Sequence, residues 1–528
     1  MKDSLIKPNA DMPHEIASRV LLAALILHAL VMMEFLRGDL WFDEIITLGN
    51  FAMLSDYRDI FTTYPVANNH MLFTFVEWWW LYAVDIANVL LQGAERRIEP
   101  TEQILRLPSA IFAISTGLFL YMRGRRTLGN ATALTLAIVL LASPLFLGFA
   151  YQVRGYGLSM FLSSVAMIGA LEILAGKRRD GAFLYGPAAA FLPVVIPSNL
   201  LVTFSLWLFV AIILLRRRCD LRNLLFVGAM GLVSASGMTV FLLIFDKFMK
   251  VVKQTGGWDS GGQVAGHLLL ALAVHVGGFI LACWATRLRT PHPERVRAGD
   301  PVRRVLPLLA ACCVLPIVCL AFARAPFPRV FLTYLPPLTL CAMWFFRTDN
   351  YRRLRDFSAV IFMVLATTIV WYRTSAYTVL QDRNEGITRQ NLLQQFYSRN
   401  NEVSEIVDFL VHYDAVPRRA RVFVDIHDYP SLRYYWKRKQ QRPERLESLN
   451  GGSIAPLQMS PEMYMQVPQV IVTYNPEKAV REYTELTGLI PVLEQIYTRT
   501  AIGIYRIVAI RDPSQPVPRP RFPLDDPI

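Results

Sequence analysis

Residues 16–36, IASRVLLAALILHALVMMEFL, run directly into RGDLWFDE at residues 37–44. The first stretch is long and apolar enough for a helix, at 1.5 Å per residue, to cross the roughly 30 Å hydrocarbon core of a bilayer. The second sets Asp43 and Glu44 side by side just past its end. Charge is costly at the rim of the hydrocarbon, and ionisable residues kept there are more often functional than incidental. The structural alternative is a pair of interfacial anchors.

Further uninterrupted apolar runs follow. The chain of 528 residues is 54% hydrophobic and 18% charged, where soluble domains hold roughly 45–50% apolar and about 25% charged residues. This is the composition of a polytopic α-helical membrane protein. The net charge of +13 sits in short clusters between apolar runs, which marks cytoplasmic loops and argues against a nucleic-acid partner. The run after the polar first fifteen residues is too long for a signal-peptide core and lacks a small-residue cleavage site, so an uncleaved first helix with its N-terminus inside is expected. Six cysteines (Cys219, Cys283, Cys312, Cys313, Cys319, Cys341) lie in or beside apolar segments without metal-ligand spacing. No disulfide framework is expected.

The run His70–Leu91 carries Glu77, Asp85 and the cluster Trp78-Trp79-Trp80, which suits a helix lying at headgroup level better than one crossing the core. Ten further spans are predicted: Arg106–Tyr121, Ala131–Ala150, Tyr156–Ala175, Ala182–Ile196, Leu200–Leu215, Leu224–Phe245, Val264–Thr286, Val305–Phe322, Val330–Phe346 and Phe357–Trp371. With this parity, and beyond the first external loop, twenty Lys and Arg residues fall on the cytoplasmic loops and six on the opposite loops. A crossing by His70–Leu91 would reverse that distribution, against the positive-inside rule. About eleven transmembrane helices are therefore expected within residues 1–371, the external loop 37–106 carrying interfacial helices.

From about Tyr372 the apolar runs shorten and charge rises. Arg421–Asp425, Val467–Tyr474 and Ile504–Ile510 read as strands, and Ser431–Lys439 and Glu477–Thr487 as helices. Their alternation predicts a small extracytoplasmic α/β domain over 372–511, followed by a Pro-rich tail over 512–528.

This topology gathers Asp39, Asp43, Glu44, Asn68, Asn69, His70, Arg106, Arg154, Arg324 and Arg329 on the outer face. Arginines beside a bilayer suit a lipid phosphate or diphosphate, which they hold with forked, charge-assisted hydrogen bonds. A nearby carboxylate can accept the proton of an acceptor hydroxyl as the phosphate leaves. Structural alternatives stand beside these roles: Arg154 as an interfacial anchor, Arg106 as an end-of-helix snorkel, His70 as a helix cap. Lys247, Lys250 and Lys253 read as headgroup anchors. The outer loop around Arg154 holds no Asp or Glu, so a two-carboxylate metal site shared between loops is not evident. Chemistry without a metal or other cofactor is expected, with a divalent cation left open.

The ordered set Trp41-Phe42-Asp43-Glu44, Asn68-Asn69-His70, Arg106-Leu107-Pro108-Ser109-Ala110, Gly124-Arg125-Arg126, Ser143-Pro144-Leu145-Phe146, Gln152-Val153-Arg154-Gly155-Tyr156 and Pro328-Arg329-Val330-Phe331-Leu332 resembles the GT-C glycosyltransferases. Within them it is similar to the family 39-like group of protein O-mannosyltransferases and lipid A aminoarabinose transferases. The resemblance covers roughly residues 16–346. It implies inverting transfer of a sugar from a polyprenyl-phosphate donor to an acceptor hydroxyl on a glycolipid, polysaccharide or protein, at the outer face of the cell (inner or plasma) membrane. It implies further that Asp43 is the base and that Glu44 helps to bind substrate. Arg154, with Arg106 or Arg329, is expected to hold the donor phosphate, and His70, Asn69 and Tyr156 to bind substrate. Met71 stands where the group has proline after the histidine. Two rival readings are an oligosaccharyltransferase- or ligase-like enzyme using a diphosphate-linked glycan, and a lipid-linked sugar transporter or flippase. Few charges within spans and no repeated halves weigh against the transporter.

Overall fold

The computed structural model describes residues 13–54, 56–63, 69–92, 100–254, 259–260, 266, 301–320, 324–325, 328–346, 403–412, 420–424, 429–439, 446–449, 468–473, 476–497 and 503–511. The described residues form two compact units. One holds those up to 37 and from 47 to 346, the other those of 38–46 and from 403 to 511. The acid-bearing stretch, which the sequence places with the membrane part, groups instead with the C-terminal residues.

The first unit is almost wholly helical. In chain order come α1 (His14–Arg37), α2 (Phe42–Thr47, all but its last residue in the second unit), α3 (Arg58–Thr62), α4 (Met71–Gln92), α5 (Glu102–Leu128), α6 (Asn130–Leu141), α7 (Pro144–Phe149), α8 (Tyr156–Leu174), α9 (Arg178–Val195), α10 (Leu200–Arg217), α11 (Leu221–Ser236), α12 (Thr239–Leu243), α13 (Phe245–Gln254), α14 (Pro301–Leu320) and α15 (Leu335–Phe346). Short 3-10 turns at Pro197–Asn199 and Pro328–Tyr334 precede α10 and α15.

Four described segments are long and apolar enough to cross a membrane: His14–Arg37, Glu102–Leu128, Tyr156–Leu174 and Pro197–Arg217. Asn130–Leu141, Leu221–Ser236, Val305–Cys319 and Val330–Met343 are shorter apolar helices. The predicted spans Val264–Thr286, apart from Gly266, and Phe357–Trp371 lie outside the described residues. α4, although 22 residues long, is not among the four, because its acidic residues and tryptophans dilute its hydropathy.

Three predicted boundaries move for local reasons. The span placed at Arg106–Tyr121 is the middle of a 27-residue helix, so the basic cluster Arg123-Gly124-Arg125-Arg126 is helical rather than a loop. Arg125 and Arg126 stand in its last turn, where cations meet the negative end of the helix dipole. The span placed at Ala131–Ala150 is broken at Ser143, whose hydroxyl caps α7 with Pro144 in its first turn, a pairing that starts helices. The span at Leu224–Phe245 divides into α11 and α12, with α13 beginning at Phe245.

α8 lies at the centre of this unit. α8 and α9 meet at Gly169 and Gly181: a Cβ on Gly169 would stand 2.8 Å from the Gly181 carbonyl oxygen, and one on Gly181 2.6 Å from the Gly169 oxygen. Small residues at such crossings let helix backbones approach in a membrane. Polar side chains on α8 are buried and bonded. Asn199 donates to Ser159 at 2.9 Å, Ser163 donates to the Thr333 carbonyl at 2.7 Å, and Glu172 receives Arg123 at 2.8 and 2.9 Å.

Pro108 in α5 removes one amide from the helix ladder and leaves the carbonyl of Ile104 without its i+4 donor. The indole N–H of Trp80 supplies that bond at 2.8 Å, joining α4 to α5. Trp78 donates likewise to the Leu54 carbonyl at 2.9 Å. Beneath them an apolar cluster of Ile60, Met71, Val194, Phe241 and Ile244 gathers residues from α3, α4, α9 and the α12 region.

The second unit is an α/β layer. Its elements are α16 (Val403–His412), β3 (Arg421–Val424), α17 (Tyr429–Arg438), β4 (Leu446–Ser448), β5 (Gln469–Thr473), α18 (Pro476–Thr487), β6 (Ile490–Tyr497) and β7 (Gly503–Arg511); β1 (Asp259–Ser260) and β2 (Arg324–Ala325) form a separate two-stranded ladder in the first unit. The five-stranded sheet runs β4-β3-β5-β7-β6, parallel from β4 to β5 and antiparallel beyond. β3 and β5 are buried along their length, as parallel strands covered by crossover helices are. α16, β4 and β6 were not visible as elements in the sequence. Of the six cysteines, Cys219, Cys312, Cys313, Cys319 and Cys341 are free thiols, and Cys283 lies outside the described residues.

Candidate active site

The first helical turn of α4 and the turn between α7 and α8 build the site together. Asn69 and His70 precede α4. The Asn69 amide donates to the Ile60 carbonyl at 2.8 Å and its oxygen accepts from Thr74 at 3.1 Å. Both ends of the amide thus fix the turn that presents His70. α4 starts at Met71, and the Thr74 N–H reaches the His70 carbonyl at 2.9 Å. The helix therefore begins where a proline would start it, without one.

On the other side, Ser109 donates to the carbonyl of Gln152, and the Gln152 amide donates to that of Gly148 at 3.0 Å. The Arg154 N–H returns to the Gln152 carbonyl, a three-residue γ-type closure. The turn is compact and fully buried from Tyr151 to Tyr156.

Gly155 permits the two sides to meet. A Cβ there would stand 2.4 Å from Val195 Cγ1 and 3.1 Å from both Cβ and Nδ1 of His70. Without that atom, the Gly155 N–H donates to His70 Nδ1 at 2.8 Å. An amide can only donate, so Nδ1 is the acceptor and a neutral ring carries its proton on Nε2. Nε2 lies 3.1 Å from Arg154 Nη2. Guanidinium has donors only, so in this tautomer two donor nitrogens lie side by side. Tyr156 completes the cluster: its hydroxyl is 3.4 Å from Arg154 Nη2, its ring lies 5.4 Å below the guanidinium, and the His70 ring meets it edge-on at 5.1 Å. Two donor groups beside a phenol are chemistry suited to an anionic oxygen.

Arg106 occupies a different position. Its Nη1 donates to the carbonyls of Phe35 and Leu36 at 3.1 and 3.2 Å, and its guanidinium lies 5.5 Å from the Tyr151 ring. It closes the last turn of α1, whose final carbonyls lack intrahelical donors. Arg329 stands in the 3-10 turn Pro328–Tyr334 and Arg324 in β2, and their side chains are outside what the structure describes, as is Asn68.

Asp43 and Glu44 occupy the first turn of α2, and both are buried. The Trp41 N–H donates to Glu44 Oε2 at 2.8 Å, the half of a capping box in which the third helical residue reaches back to the amide before the helix. Glu44 therefore shapes the turn that presents Asp43. Among the described residues no three His, Cys, Asp or Glu side chains gather as a metal site. The sequence pointed to His70, Arg154 and Tyr156, but not to the parts played by Gly155, Ser109 and Thr74. Gly155 directly after Arg154 was the one signal present, and its partner His70 lies 85 residues away.

The described helices, four of them in segments long and apolar enough to cross a membrane, are arranged as in the GT-C fold. Apo ArnT from Cupriavidus metallidurans shares that fold with a TM-score of 0.51 at 13% identity, over 93% of this chain and 98% of the other. ArnT bound to undecaprenyl phosphate gives 0.49 at 13% identity, over 93% and 98%. Arabinofuranosyltransferase AftD from Mycobacteria gives 0.42 at 14%, over 95% of this chain and 41% of that one. At such identities the likeness is one of architecture. No protein-family model matches the sequence, and no curated protein matches it.

Proposed function

We propose that the protein is a membrane glycosyltransferase that moves a sugar from a polyprenyl-phosphate donor to an acceptor hydroxyl on the extracytoplasmic side, with inversion at the anomeric carbon. The observation that carries this reading is the pair of donors at His70 Nε2 and Arg154 Nη2, 3.1 Å apart with Nδ1 already taken by Gly155. One phosphate oxygen seated beside the pair, at hydrogen-bond distance from each nitrogen, accepts from both. The GT-C fold supports the same reading.

In this scheme Asp43 accepts the proton of the acceptor hydroxyl as its oxygen bonds to the anomeric carbon from the face opposite the phosphate. The bond from that carbon to the phosphate oxygen breaks, and its electron pair leaves on the lipid phosphate. Arg154 and the His70 Nε2–H stabilise the charge that builds there, the kind of preorganised electrostatic term that usually dominates such catalysis. Tyr156 borders the donor pair, and Asn69 fixes the turn that presents His70. Glu44 holds the turn at Trp41, and Arg106 holds the end of α1. The chemistry runs without a metal, the guanidinium supplying the charge neutralisation.

The test uses full-length protein in lipid nanodiscs with a panel of radiolabelled polyprenyl-phosphate sugars. Transfer from at least one monophosphate donor, with inverted product, is expected. Transfer only from diphosphate-linked glycans would replace this reading with the oligosaccharyltransferase-like one.

A further inference from the structure

Asp39 and Leu40, just ahead of the acid pair, are fastened to helices that lie more than 360 residues further along the chain. The two carboxylate oxygens of Asp39 receive the Ser404 N–H at 2.7 Å and the Ser404 hydroxyl at 2.8 Å. Ser404 is the second residue of α16, where the first amides of a helix lack intrahelical acceptors. A carboxylate supplied from another segment satisfies one of them and complements the helix dipole. The next residue, Leu40, donates its backbone N–H to the Tyr435 hydroxyl of α17 at 2.7 Å. The residue after that, Trp41, donates to Glu44.

Three consecutive residues ahead of α2 are therefore held, two of them by the α/β unit. The anchoring helices are themselves fixed. Phe409 of α16 packs on Tyr497 of β6 with ring centroids 4.4 Å apart, and Lys439, just after α17, pairs with Asp408 of α16 at 2.7 Å. Tyr435 and Leu40 are both buried.

We propose that Asp39, Ser404 and Tyr435 are positioning residues for Asp43, held by the α/β unit to which Asp43 itself belongs. This inference rests on Asp43 being the base. The mechanism is geometric. A general base must stay within about 2.6–3.2 Å of the proton it takes, and a misplacement of about 1 Å can cost on the order of a hundredfold in rate. Asp43 lies four residues beyond Asp39, with only the first turn of a six-residue helix between the anchor and the carboxylate.

The experiment compares Tyr435→Phe, Ser404→Ala and Asp39→Asn in the full-length protein, reading kcat, donor KM and hydrogen exchange over residues 38–46. Tyr435→Phe and Ser404→Ala each delete one hydroxyl and keep the packing. Each is expected to lower kcat about tenfold with donor KM unchanged, and to raise exchange across 38–46. Asp39→Asn, which sets an amide against two donors, is expected to lower kcat about a hundredfold. Arg506→Ala removes an exposed ion pair to Glu494, between β7 and β6 of the same unit, and is the control, with kcat and exchange over 38–46 unchanged. Faster exchange with unaltered kcat in the two hydroxyl deletions would overturn the positioning role while leaving the proposed transfer intact. A fall in kcat without a change in exchange would overturn it too. Full activity of Asp43→Asn, measured alongside, would instead remove the base assignment.

Discussion

The Gly155 N–H donates to Nδ1 of His70 at 2.8 Å, and this one bond decides which ring nitrogen turns a proton toward Arg154. The approach depends on the missing Cβ, which would fall 2.4 Å from Val195 Cγ1. Gly155→Ala is therefore expected to push the turn off α4 and cost about 1–3 kcal/mol through overpacking. A lowered thermal midpoint together with weakened donor binding, measured by titration with a polyprenyl phosphate, checks it. Unchanged donor affinity would mean that the His70 tautomer does not matter.

His70→Gln and His70→Ala separate the donor at Nε2 from the bulk of the ring. Glutamine can present an amide N–H near the Nε2 position, whereas alanine presents nothing. Donor affinity is expected to fall about tenfold or more in the alanine variant, as for the loss of one charge-assisted bond of about 1.5–3 kcal/mol. Glutamine is expected to recover part of it. Equal loss in both would assign His70 to packing alone.

Arg154→Lys tests the fork. A lysine keeps the charge but not the planar set of donors that matches phosphate. The expected result is a loss of donor affinity in Arg154→Lys that approaches that of Arg154→Ala, with acceptor KM little altered in both. Recovery of wild-type donor affinity by lysine would reduce the site to a point charge.

Part of this site could be read from the chain and part could not. His70 and Arg154, and Asp43 in the other unit, stand out because charge next to long apolar runs is costly and therefore informative. The long helices follow from length and hydropathy, and α8 falls within a residue of its expected end. Gly155, Ser109, Thr74 and Ser404 act through single hydrogen bonds to partners distant in sequence, which no local pattern announces. The helical course of Arg123–Arg126 was hidden for another reason. Basic clusters mark the cytoplasmic side, but they do not say whether the helix has ended.

In the proposed scheme the acid pair divides into two roles. Asp43→Asn is expected to abolish turnover with expression and donor binding intact. Glu44→Gln keeps an oxygen able to accept from the Trp41 N–H, so it is expected to retain measurable turnover. Glu44→Ala loses the cap, worth about 0.5–2 kcal/mol for such contacts, and its kcat is expected to fall with that loosening. Near-normal turnover in Asp43→Asn would sink the assignment of the base.

Trp80 and Pro108 offer a test of the fold that leaves the chemistry aside. Pro108 has no amide hydrogen, so the Ile104 carbonyl takes its bond from the Trp80 indole at 2.8 Å. Trp80→Phe keeps an aromatic ring and deletes the donor, leaving a half-buried carbonyl short of a partner at a cost of about 1–2 kcal/mol. Pro108→Ala returns an amide to the helix ladder at the same acceptor. If the indole bond exists because of the proline, Trp80→Phe should cost markedly less in the Pro108→Ala background than in the wild type. The interaction energy between contacting sites reads this directly, from thermal midpoints of the two single variants and the double variant in detergent. Strict additivity would show that the two features are independent, and that α4 is held to α5 by ring packing alone.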